Sequence, residues 1–543
     1  MKAPRSHGAG FLRHPIWISI AVSALMLAAL GAAELTARRL APMKGYSDDA
    51  QYLFESSGPF FRAKIVNGKQ WFIQAPGHRF FPGRQRFAME KQAGQRRIVV
   101  IGESSAVFLG AYLKAVAAGN RLSPRIEIIN MAAGASDLEQ TMRRFHEALQ
   151  YAPDDIVLLF GHNLFYHHPM VELSSCPGVD GLRFFLLKSR LLSLLAGHRR
   201  SCLPIVAFRA PGRWLAFRES LSKMADAAQR QGVRLALCTV PGNLHFPPLA
   251  KEPVLWAPEF LEAKYLYWTG QRESAMRKLR LLLSRKPEAW WNFQLGEWLY
   301  QAGRYDGARR QLVAARDGDD CYKRATSAVN DLIREVARKK RLALFDFERL
   351  VSQSAPHGIP GWERFYDNQH VSSPILKSEA GECLRVLGAV RWPPPTQEEF
   401  RGWARRPPEE ILRSALVMIP MEEASLRPAI TLMAQSYLSA FLARGEEAIR
   451  ALHRGPLETA LLLSCVGDAF WHAGLQARAM RLNDEARRLA PEESEFCLQR
   501  ALFHLNSGEK SDAARWLRLT LKLRPDQGEA RFYLSKLEAE SSA

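Results

Sequence analysis

Five short apolar segments rich in Val, Ile and Leu constrain the fold of this chain more than any other feature. None alternates apolar with polar residues, and each is too short for a typical helix. Such segments are typical of strands that are buried on both faces of a parallel sheet. They are RRIVVIG (96–102), RIEIIN (125–130), DIVLLFG (155–161), VRLALCTV (233–240) and RLALFDF (341–347).

Amphipathic segments separate these predicted strands, for example at 138–150 and 221–232. Strands that alternate with helices favour parallel pairing, because a crossover helix returns the chain to the same end of the sheet. We therefore predict an α/β domain with a three-layer, doubly wound parallel sheet, built from residues 96–250 and 321–395. A chain of 543 residues is too long for one core, so further domains are expected.

Three regions differ from this strand–helix pattern. Residues 36–95 are aromatic and irregular, and we interpret them as a lead-in segment. Residues 251–320 predict two helical hairpins inserted into the α/β domain. Residues 396–543 are almost wholly amphipathic helix, and Pro491 and Pro525 end two similar units 34 residues apart. That period matches tetratricopeptide repeats, with a generic helical bundle as the alternative.

The N-terminus contains an apolar run without charge, residues 16–33, which follows three basic residues. About 18–20 apolar residues suffice for a helix to cross the hydrocarbon core of a bilayer. We predict a basic N-terminus at 1–14 and a transmembrane anchor at 15–35. A cleaved signal peptide is the alternative, but the run is long for one and its exit is a poor cleavage site. A lone N-terminal anchor usually precedes an exported domain, so we expect the body outside the cytoplasm.

The charge and the cysteines limit the classes of partner and cofactor. The formal net charge of +20 favours anionic surfaces such as lipid headgroups or acidic glycans. No zinc-finger spacing, aromatic RNP-like strand or Walker loop is present, so we do not expect nucleic acid. The seven cysteines form no CxxC pair, and the run Tyr166-His167-His168 beside His162 lacks a third ligand. We predict no metal and no cofactor. Cys176 and Cys202 are compatible with a disulfide and equally with isolated thiols.

Candidate catalytic residues follow four of the predicted strands. The first strand ends in Gly-Glu-Ser-Ser, which places Ser104 at the carboxyl edge of the sheet, where open α/β folds bind ligands. Alone, this serine pair is more typical of a helix cap. However, Gly134, Asn163 and the pair Asp367 and His370 follow the second, third and fifth strands. Together these residues are the components of serine acyl transfer.

In chain order, strand placement and residue type, these four blocks resemble the SGNH (GDSL-like) hydrolase family over about residues 85–390, which implies an SGNH/flavodoxin-like sheet. The resemblance implies that Ser104 is the nucleophile and His370 its base, with Asp367 fixing the histidine tautomer. It also implies an oxyanion hole from the N–H groups of Ser104 and Gly134 and the side chain of Asn163. The family's usual GDS is GES here.

The loop sequences GHNLFY, VPGNLHFPP and KRATSAVNDLIREVA look closer to a bacterial subgroup that combines this domain with tetratricopeptide repeats. This implies a single-pass protein of the bacterial inner membrane, with a periplasmic catalytic domain and repeats that bind a protein partner. Leu164 stands where many relatives carry an acidic residue.

The expected activity is that of a serine esterase or O-acyltransferase. Its substrate would be an acyl ester, most plausibly an acetyl ester, of a cell-envelope glycan or a related metabolite. The alternative is an inactive scaffold that recruits partners in an envelope assembly system. Two further interpretations concern single residues. Arg324 is a candidate contact for an anionic substrate or, more simply, a surface arginine, and Trp290 and Trp291 are expected to pack in the insert.

Overall fold

The structure is a computed structural model. It describes residues 13–40, 59–75, 85–119, 125–134, 136–165, 211–249, 257–319, 324–389, 412, 423–452 and 454–542. The strands are β1 (Phe61–Val66), β2 (Lys69–Gln74), β3 (Arg86–Ala88), β4 (Arg96–Gly102), β5 (Ile126–Asn130), β6 (Asp155–Leu159), β7 (Arg234–Cys238) and β8 (Ala343–Phe345).

Helices make up most of the remaining described residues. They are α1 (Arg13–Leu40), α2 (Ser104–Gly119), α3 (Leu138–Ala148), α4 (Pro211–Arg230), α5 (Pro258–Trp268), α6 (Arg272–Arg285), α7 (Ala289–Gln301), α8 (Tyr305–Asp317), α9 (Ser327–Lys340), α10 (Phe347–Ser354), α11 (Ser373–Val386), α12 (Glu423–Ser436), α13 (Leu438–Arg450), α14 (Pro456–His472), α15 (Gln476–Leu489), α16 (Ser494–Asn506), α17 (Lys510–Leu523) and α18 (Gly528–Ser542).

The five predicted strands form one sheet in the order β5-β4-β6-β7-β8, and all neighbours are parallel. This is the 2-1-3-4-5 order of flavodoxin-like sheets. The side chains of Ile98–Ile101 in β4 are fully buried, as a sheet covered on both faces requires. Helix α2 packs with α11, whereas α4 packs with α3 and α9, so helices form a layer on each face. The predicted three-layer α/β fold is confirmed.

The lead-in segment is not irregular throughout, so this prediction was wrong. Strands β1, β2 and β3 form an antiparallel sheet of three strands. The two residues between β1 and β2, Asn67 and Gly68, both have positive φ, at 51° and 73°. Asn-Gly favours this two-residue hairpin turn because both positions tolerate the left-handed conformation. The dipeptide Asn67-Gly68 is thus a sequence signal for the hairpin. This sheet and α1 belong to a compact unit separate from the α/β domain.

Within the described residues, α1 is the one helix long and apolar enough to cross a membrane, with a candidate span at Ser19–Ala37. Its length and composition fit a membrane anchor, and its place near the N-terminus also fits a signal sequence.

The two predicted helical hairpins are α5–α6 and α7–α8, which pack as antiparallel pairs. Trp290 and Trp291 are buried in their shared core, as expected. In the C-terminal region, α14–α15 and α16–α17 form two further hairpins. Helices α15 and α17 end at Leu489 and Leu523, and this spacing of 34 residues is that of the predicted tetratricopeptide-like repeats.

The core of the C-terminal helices includes residues of the α/β domain. Phe246, Leu249 and Trp362 are buried in one hydrophobic cluster with side chains of α12–α16. The hydroxyl group of Tyr437, between α12 and α13, donates to the carbonyl of Trp362 at 2.9 Å. The C-terminal helices therefore cover two loops of the α/β domain.

Candidate active site

Backbone geometry at the end of β4 places Ser104 at the start of a helix. Gly102 has φ = 147°, and a Cβ atom there would lie 1.9 Å from the carbonyl oxygen of Leu159 in β6. Only glycine permits this close approach. The chain turns at Glu103, and α2 begins at Ser104. The side chain of Ser104 is half-buried at the carboxyl edge of the sheet, at the topological switch point between β4 and β6.

Ser104, His370 and Asp367 are joined by hydrogen bonds. The Nε2 atom of His370 lies 2.7 Å from Oγ of Ser104, and its Nδ1 atom lies 2.6 Å from Oδ2 of Asp367. Burial alone would raise the pKa of Asp367, but the charge of His370 and the hydrogen bonds to this carboxylate lower the pKa below its usual value. An ionised Asp367 accepts a hydrogen bond from the Nδ1–H group of His370. Nε2 then carries no proton and accepts a hydrogen bond from the serine hydroxyl.

The segment that carries His370 is a short closed turn. Oδ1 of Asp367 accepts the N–H groups of Gln369 and His370 at 2.8 and 2.7 Å. Phe365 and Val371 form an antiparallel bridge that closes the turn from both sides. The ring of Phe108 meets the His370 imidazole edge-on, at 5.5 Å between centroids. The three-residue spacing of Asp367 and His370 thus lets one carboxylate hold both the histidine backbone and its ring.

Glu103 connects the serine to the loop after β6. It is fully buried, and its two carboxylate oxygens accept the N–H groups of His162 and Asn163 at 2.9 and 2.8 Å. Burial raises the pKa of Glu103 to about 7, against the lowering effect of these N–H groups. The departure from GDS therefore has a structural consequence, because Glu103 fixes the position of Asn163 relative to Ser104.

Two of the three predicted oxyanion donors, Gly134 and Asn163, lie on buried loops. Nδ2 of Asn163 donates to the carbonyl of Ser136 at 3.1 Å, which uses one of its two N–H groups. Gly134 is buried in the loop after β5. Asn130, at the end of β5, shapes this loop. Its Nδ2 donates to the carbonyl of Val107, and its Oδ1 accepts the N–H of Ala132.

Two further residues, His162 and Arg324, are buried and hydrogen-bonded within the protein. Nδ1 of His162 accepts the N–H of Ala325 at 3.0 Å, and burial lowers the pKa of this histidine to about 3, so it is neutral. Arg324 is 2% exposed and pairs with Asp319 at 2.8 Å. The interpretation of Arg324 as a surface residue was wrong, because the side chain is buried and also donates to the carbonyl of Phe246 at 2.8 Å.

Some predicted features lie outside the described residues. These are Tyr166, His167 and His168, and the two cysteines Cys176 and Cys202.

Sequence reasoning missed two residues next to the predicted triad. Glu103 was noted only as a departure from the family motif, and Asn243 only as part of VPGNLHFPP. Asn243 donates from its backbone to the carbonyl of Asn368 and from its side chain to that of Asp367. In the sequence, Asn243 is a polar residue two positions after Pro241, which follows the predicted strand 233–240. A polar residue at such a place is typical of any turn and does not indicate a role in the site.

One group of residues in the described part of the chain could hold a metal ion. His504, Glu509 and Asp512 lie together at the turn between α16 and α17, with Nδ1 of His504 2.5 Å from Oε2 of Glu509. This cluster belongs to the C-terminal helices, whereas Ser104, His370 and Asp367 belong to the α/β domain.

Solved structures with a similar fold are hydrolases and a repeat domain. No protein-family model and no curated protein matches the chain. A GDSL-like lipase from Bacteroides thetaiotaomicron is 10% identical, with 56% of this chain and 93% of that chain covered and a TM-score of 0.28. LAE5, an alpha/beta hydrolase enzyme from the metagenome of Lake Arreo, is 13% identical, with 55% and 96% covered and a TM-score of 0.27.

A third similar structure is a repeat domain. The TPR2AB-domain:pHSP90 complex of yeast Sti1 is 11% identical, with 54% of this chain and 100% of that chain covered and a TM-score of 0.15. These values concern the fold and assign no activity to this chain. The strand order and the helical hairpins define a flavodoxin-like, three-layer α/β fold combined with TPR-like helices.

Proposed function

We propose that this protein is a membrane-anchored serine esterase or O-acyltransferase. One observation carries the proposal: Ser104, His370 and Asp367 form a continuous hydrogen-bonded series, with distances of 2.7 and 2.6 Å. A serine hydroxyl is a weak nucleophile until an adjacent base accepts its proton, and the base must be held in the correct tautomer. Both requirements are met by side chains already in contact.

In the proposed acylation step, Oγ of Ser104 attacks the acyl carbon of an ester while Nε2 of His370 accepts the hydroxyl proton. The resulting imidazolium is stabilised by the ionised Asp367 at Nδ1. His370 then donates the proton to the leaving alcohol oxygen as the ester bond breaks, which leaves an acyl-enzyme on Ser104.

In the second step, water or an acceptor hydroxyl loses its proton to His370 and attacks the acyl carbon. The bond between the acyl carbon and Oγ of Ser104 then breaks, and His370 returns the proton to Oγ. Water yields the free acid, and the protein is then an esterase. A sugar hydroxyl yields a new ester, and the protein is then an O-acyltransferase. The balance between the two depends on how well the site excludes water.

The tetrahedral intermediates of both steps carry a negative oxygen. We propose that the N–H groups of Ser104 and Gly134 and the side chain of Asn163 donate to it. Support comes from the position of Ser104 at the N-terminus of α2, where N–H groups point away from the helix. The bond of Asn163 to Ser136 leaves the second N–H of its amide for a ligand.

We further propose an acetyl ester of a cell-envelope glycan, or of a related metabolite, as the substrate. The net charge of +20 supports an anionic environment. The apolar span at Ser19–Ala37 supports an inner-membrane anchor, with the remainder of the chain in the periplasm. The TPR-like helices are proposed to bind a protein partner. Nucleic acid, cofactors and metals have no role in this scheme.

Labelling with a serine-directed fluorophosphonate tests the proposal. The wild-type protein in detergent should be labelled, and Ser104→Ala should not be. Ser105→Ala is the matched control, because Ser105 is the next residue of the same helix and its hydroxyl has no hydrogen-bond partner among the described residues. Wild-type protein that is folded but not labelled would favour the alternative of an inactive scaffold.

A further inference from the structure

The loop after β7, residues 239–249, is irregular, yet every one of its residues is buried. Loops normally lie at the surface, because buried peptide groups must find hydrogen-bond partners within the protein. No side chain of this loop takes part in the proposed reaction. The inference that follows rests on the proposed function and concerns what this loop does for it.

Asn243 connects this loop to the segment that carries the proposed base. Its backbone N–H donates to the carbonyl of Asn368 at 3.0 Å, and its Nδ2 donates to the carbonyl of Asp367 at 3.0 Å. These two carbonyl groups lie two and three residues before His370 in the chain. Asn243 is 0% exposed, and its Oδ1 accepts no hydrogen bond from the described residues. Its side-chain bonding is therefore directed at the turn that orients His370.

His245, two residues further on, connects the same loop to the helical insert. Its Nδ1 lies 2.8 Å from Oε1 of Glu297 in α7, and both side chains are buried. Burial alone would lower the pKa of His245, but the charge of Glu297 and its hydrogen bond raise the pKa above the ordinary value. A buried pair of this kind is held firmly, because removal of one partner leaves the other without compensation.

The remainder of the loop is held by Asp319 of the insert and by Arg324 and Trp362 of the α/β domain. Arg324 donates to the carbonyl of Phe246 at 2.8 Å, and Asp319 accepts the N–H of Leu249 at 2.9 Å. The indole of Trp362 donates to the carbonyl of His245 at 3.1 Å. The loop is thus fastened to the insert on one side and bonded to the turn of His370 on the other.

We propose that Asn243 is a positioning residue for His370. It holds the carbonyl groups of Asp367 and Asn368 in the turn that leads to His370, so that the imidazole stays aligned with Ser104. The buried pair of His245 and Glu297 holds Asn243 in place, which makes this alignment depend on the helical insert. A misplacement of about 1 Å at a reacting group lowers turnover by up to about 100-fold.

The test uses the full-length protein in detergent and turnover of p-nitrophenyl acetate. Asn243→Ala and the near-isosteric Asn243→Leu should lower kcat by about 10–100-fold with little change in KM. Asn330→Ala is the matched control, because Asn330 is equally buried and bonds the same loop at Val240, through both N–H and carbonyl. Among the described residues, the side chain of Asn330 forms no hydrogen bond with the turn of His370, so its variant should lower Tm but keep kcat.

Hydrogen exchange separates this inference from the proposed function. Exchange of the peptide 364–372 should accelerate in Asn243→Ala and not in Asn330→Ala, whether or not the protein turns over an ester. If this peptide exchanged in Asn243→Ala and Asn243→Leu at the same rate as in the wild type, the inference would be overturned. Absence of Ser104-dependent labelling in the wild type would instead overturn the proposed function.

The link to the insert has its own test. Glu297→Gln should lower kcat by a smaller factor, about 3–10-fold, because the hydrogen bond to His245 can persist without the charge. If the pair acts through Asn243, the double variant Asn243→Ala/Glu297→Gln should be no slower than Asn243→Ala alone. Effects that multiply would show that Glu297 acts independently and would overturn the coupling.

Discussion

Ser104 and His370 are single residues whose proposed roles depend on each other. Ser104→Ala and His370→Ala should each lower turnover of p-nitrophenyl acetate by several orders of magnitude, and the double variant should be little worse than either. Once the nucleophile is gone the base has nothing to activate, so the losses do not multiply. Steady-state kinetics of the three variants measure this directly.

Two outcomes would contradict this assignment. If Ser105→Ala abolished turnover and Ser104→Ala did not, the nucleophile would be the neighbouring serine. If the two single losses multiplied in the double variant, Ser104 and His370 would not act as one unit.

Glu103 should make the stability of the fold depend on pH. Its folded pKa of about 7 lies above the value of 4.5 for an unperturbed glutamate, so the folded state binds more protons than the unfolded state between these values. The free energy of unfolding contributed by this group is therefore present below pH 4.5 and lost as the pH rises through 7. The loss is at most on the order of 3 kcal/mol.

Urea denaturation of wild type and Glu103→Gln at pH 5.5 and pH 8 measures this effect. The stability of the wild type relative to the variant should fall at the higher pH. Glu335→Gln is the control, because hydrogen bonds from Arg218 and Lys339 lower the pKa of Glu335 to about 2, outside this pH range. A difference between wild type and Glu103→Gln that does not change with pH would show that Glu103 stays ionised throughout.

At the scale of elements, α1 carries a prediction about topology. Its span at Ser19–Ala37 is long enough to cross a bilayer, and we expect it to be retained. Protease added to intact spheroplasts should digest residues 40–543, and the undigested protein should sediment with membranes. A cytoplasmic marker protein in the same sample is the control for lysis. Protection of the body until the spheroplasts are broken would show that it is not exported.

The loop 239–249 and the turn of His370 illustrate how irregular elements become rigid. Neither segment forms regular backbone hydrogen bonds of a helix or sheet, apart from the single bridge between Phe365 and Val371. Their peptide groups are satisfied by each other and by side chains that are distant in sequence, such as that of Arg324. Rigid loops at the edge of a sheet are what a preorganised site requires.

At the scale of the whole molecule, the C-terminal helices should stabilise the α/β domain. Phe246, Leu249 and Trp362 lie in the core of these helices, and deletion of residues 396–543 would expose all three. Burial of one such side chain contributes about 1.5–3 kcal/mol. The truncated protein should have a lower Tm and slower fluorophosphonate labelling, because the loop 239–249 would lose one of its supports. Differential scanning fluorimetry and labelling rates measure the two effects.

Deletion of α18 alone is the matched control for this truncation. Its core residues, including Tyr533, pack with Tyr265 of the insert and do not cover Phe246 or Trp362. A protein lacking residues 396–543 with the Tm and labelling rate of the wild type would contradict the proposed support.

The sequence by itself determined the elements of the α/β domain and the residues at its edge. Runs such as 96–102 and 155–161 are apolar without alternation, and this local property predicts buried parallel strands. Because parallel strands bring their carboxyl ends to one edge, the predicted site residues after these strands had to lie near one another. The Asn67-Gly68 turn is also determined by local sequence, because both residues tolerate positive φ. The dipeptide therefore indicates a hairpin, although our prediction for this segment is irregular structure.

Only the tertiary structure decided the roles of Glu103, Arg324 and Asn243. Glu103 is a carboxylate after a strand, and nothing local indicates that N–H groups 59 and 60 residues away satisfy it. From the sequence alone, Arg324 is interpreted as a surface residue. In the structure, Asp319 and carbonyl groups of the buried loop 239–249 surround its side chain. The cost of burying a charged or polar group depends on partners from distant segments, and their positions follow from the packing of the whole chain.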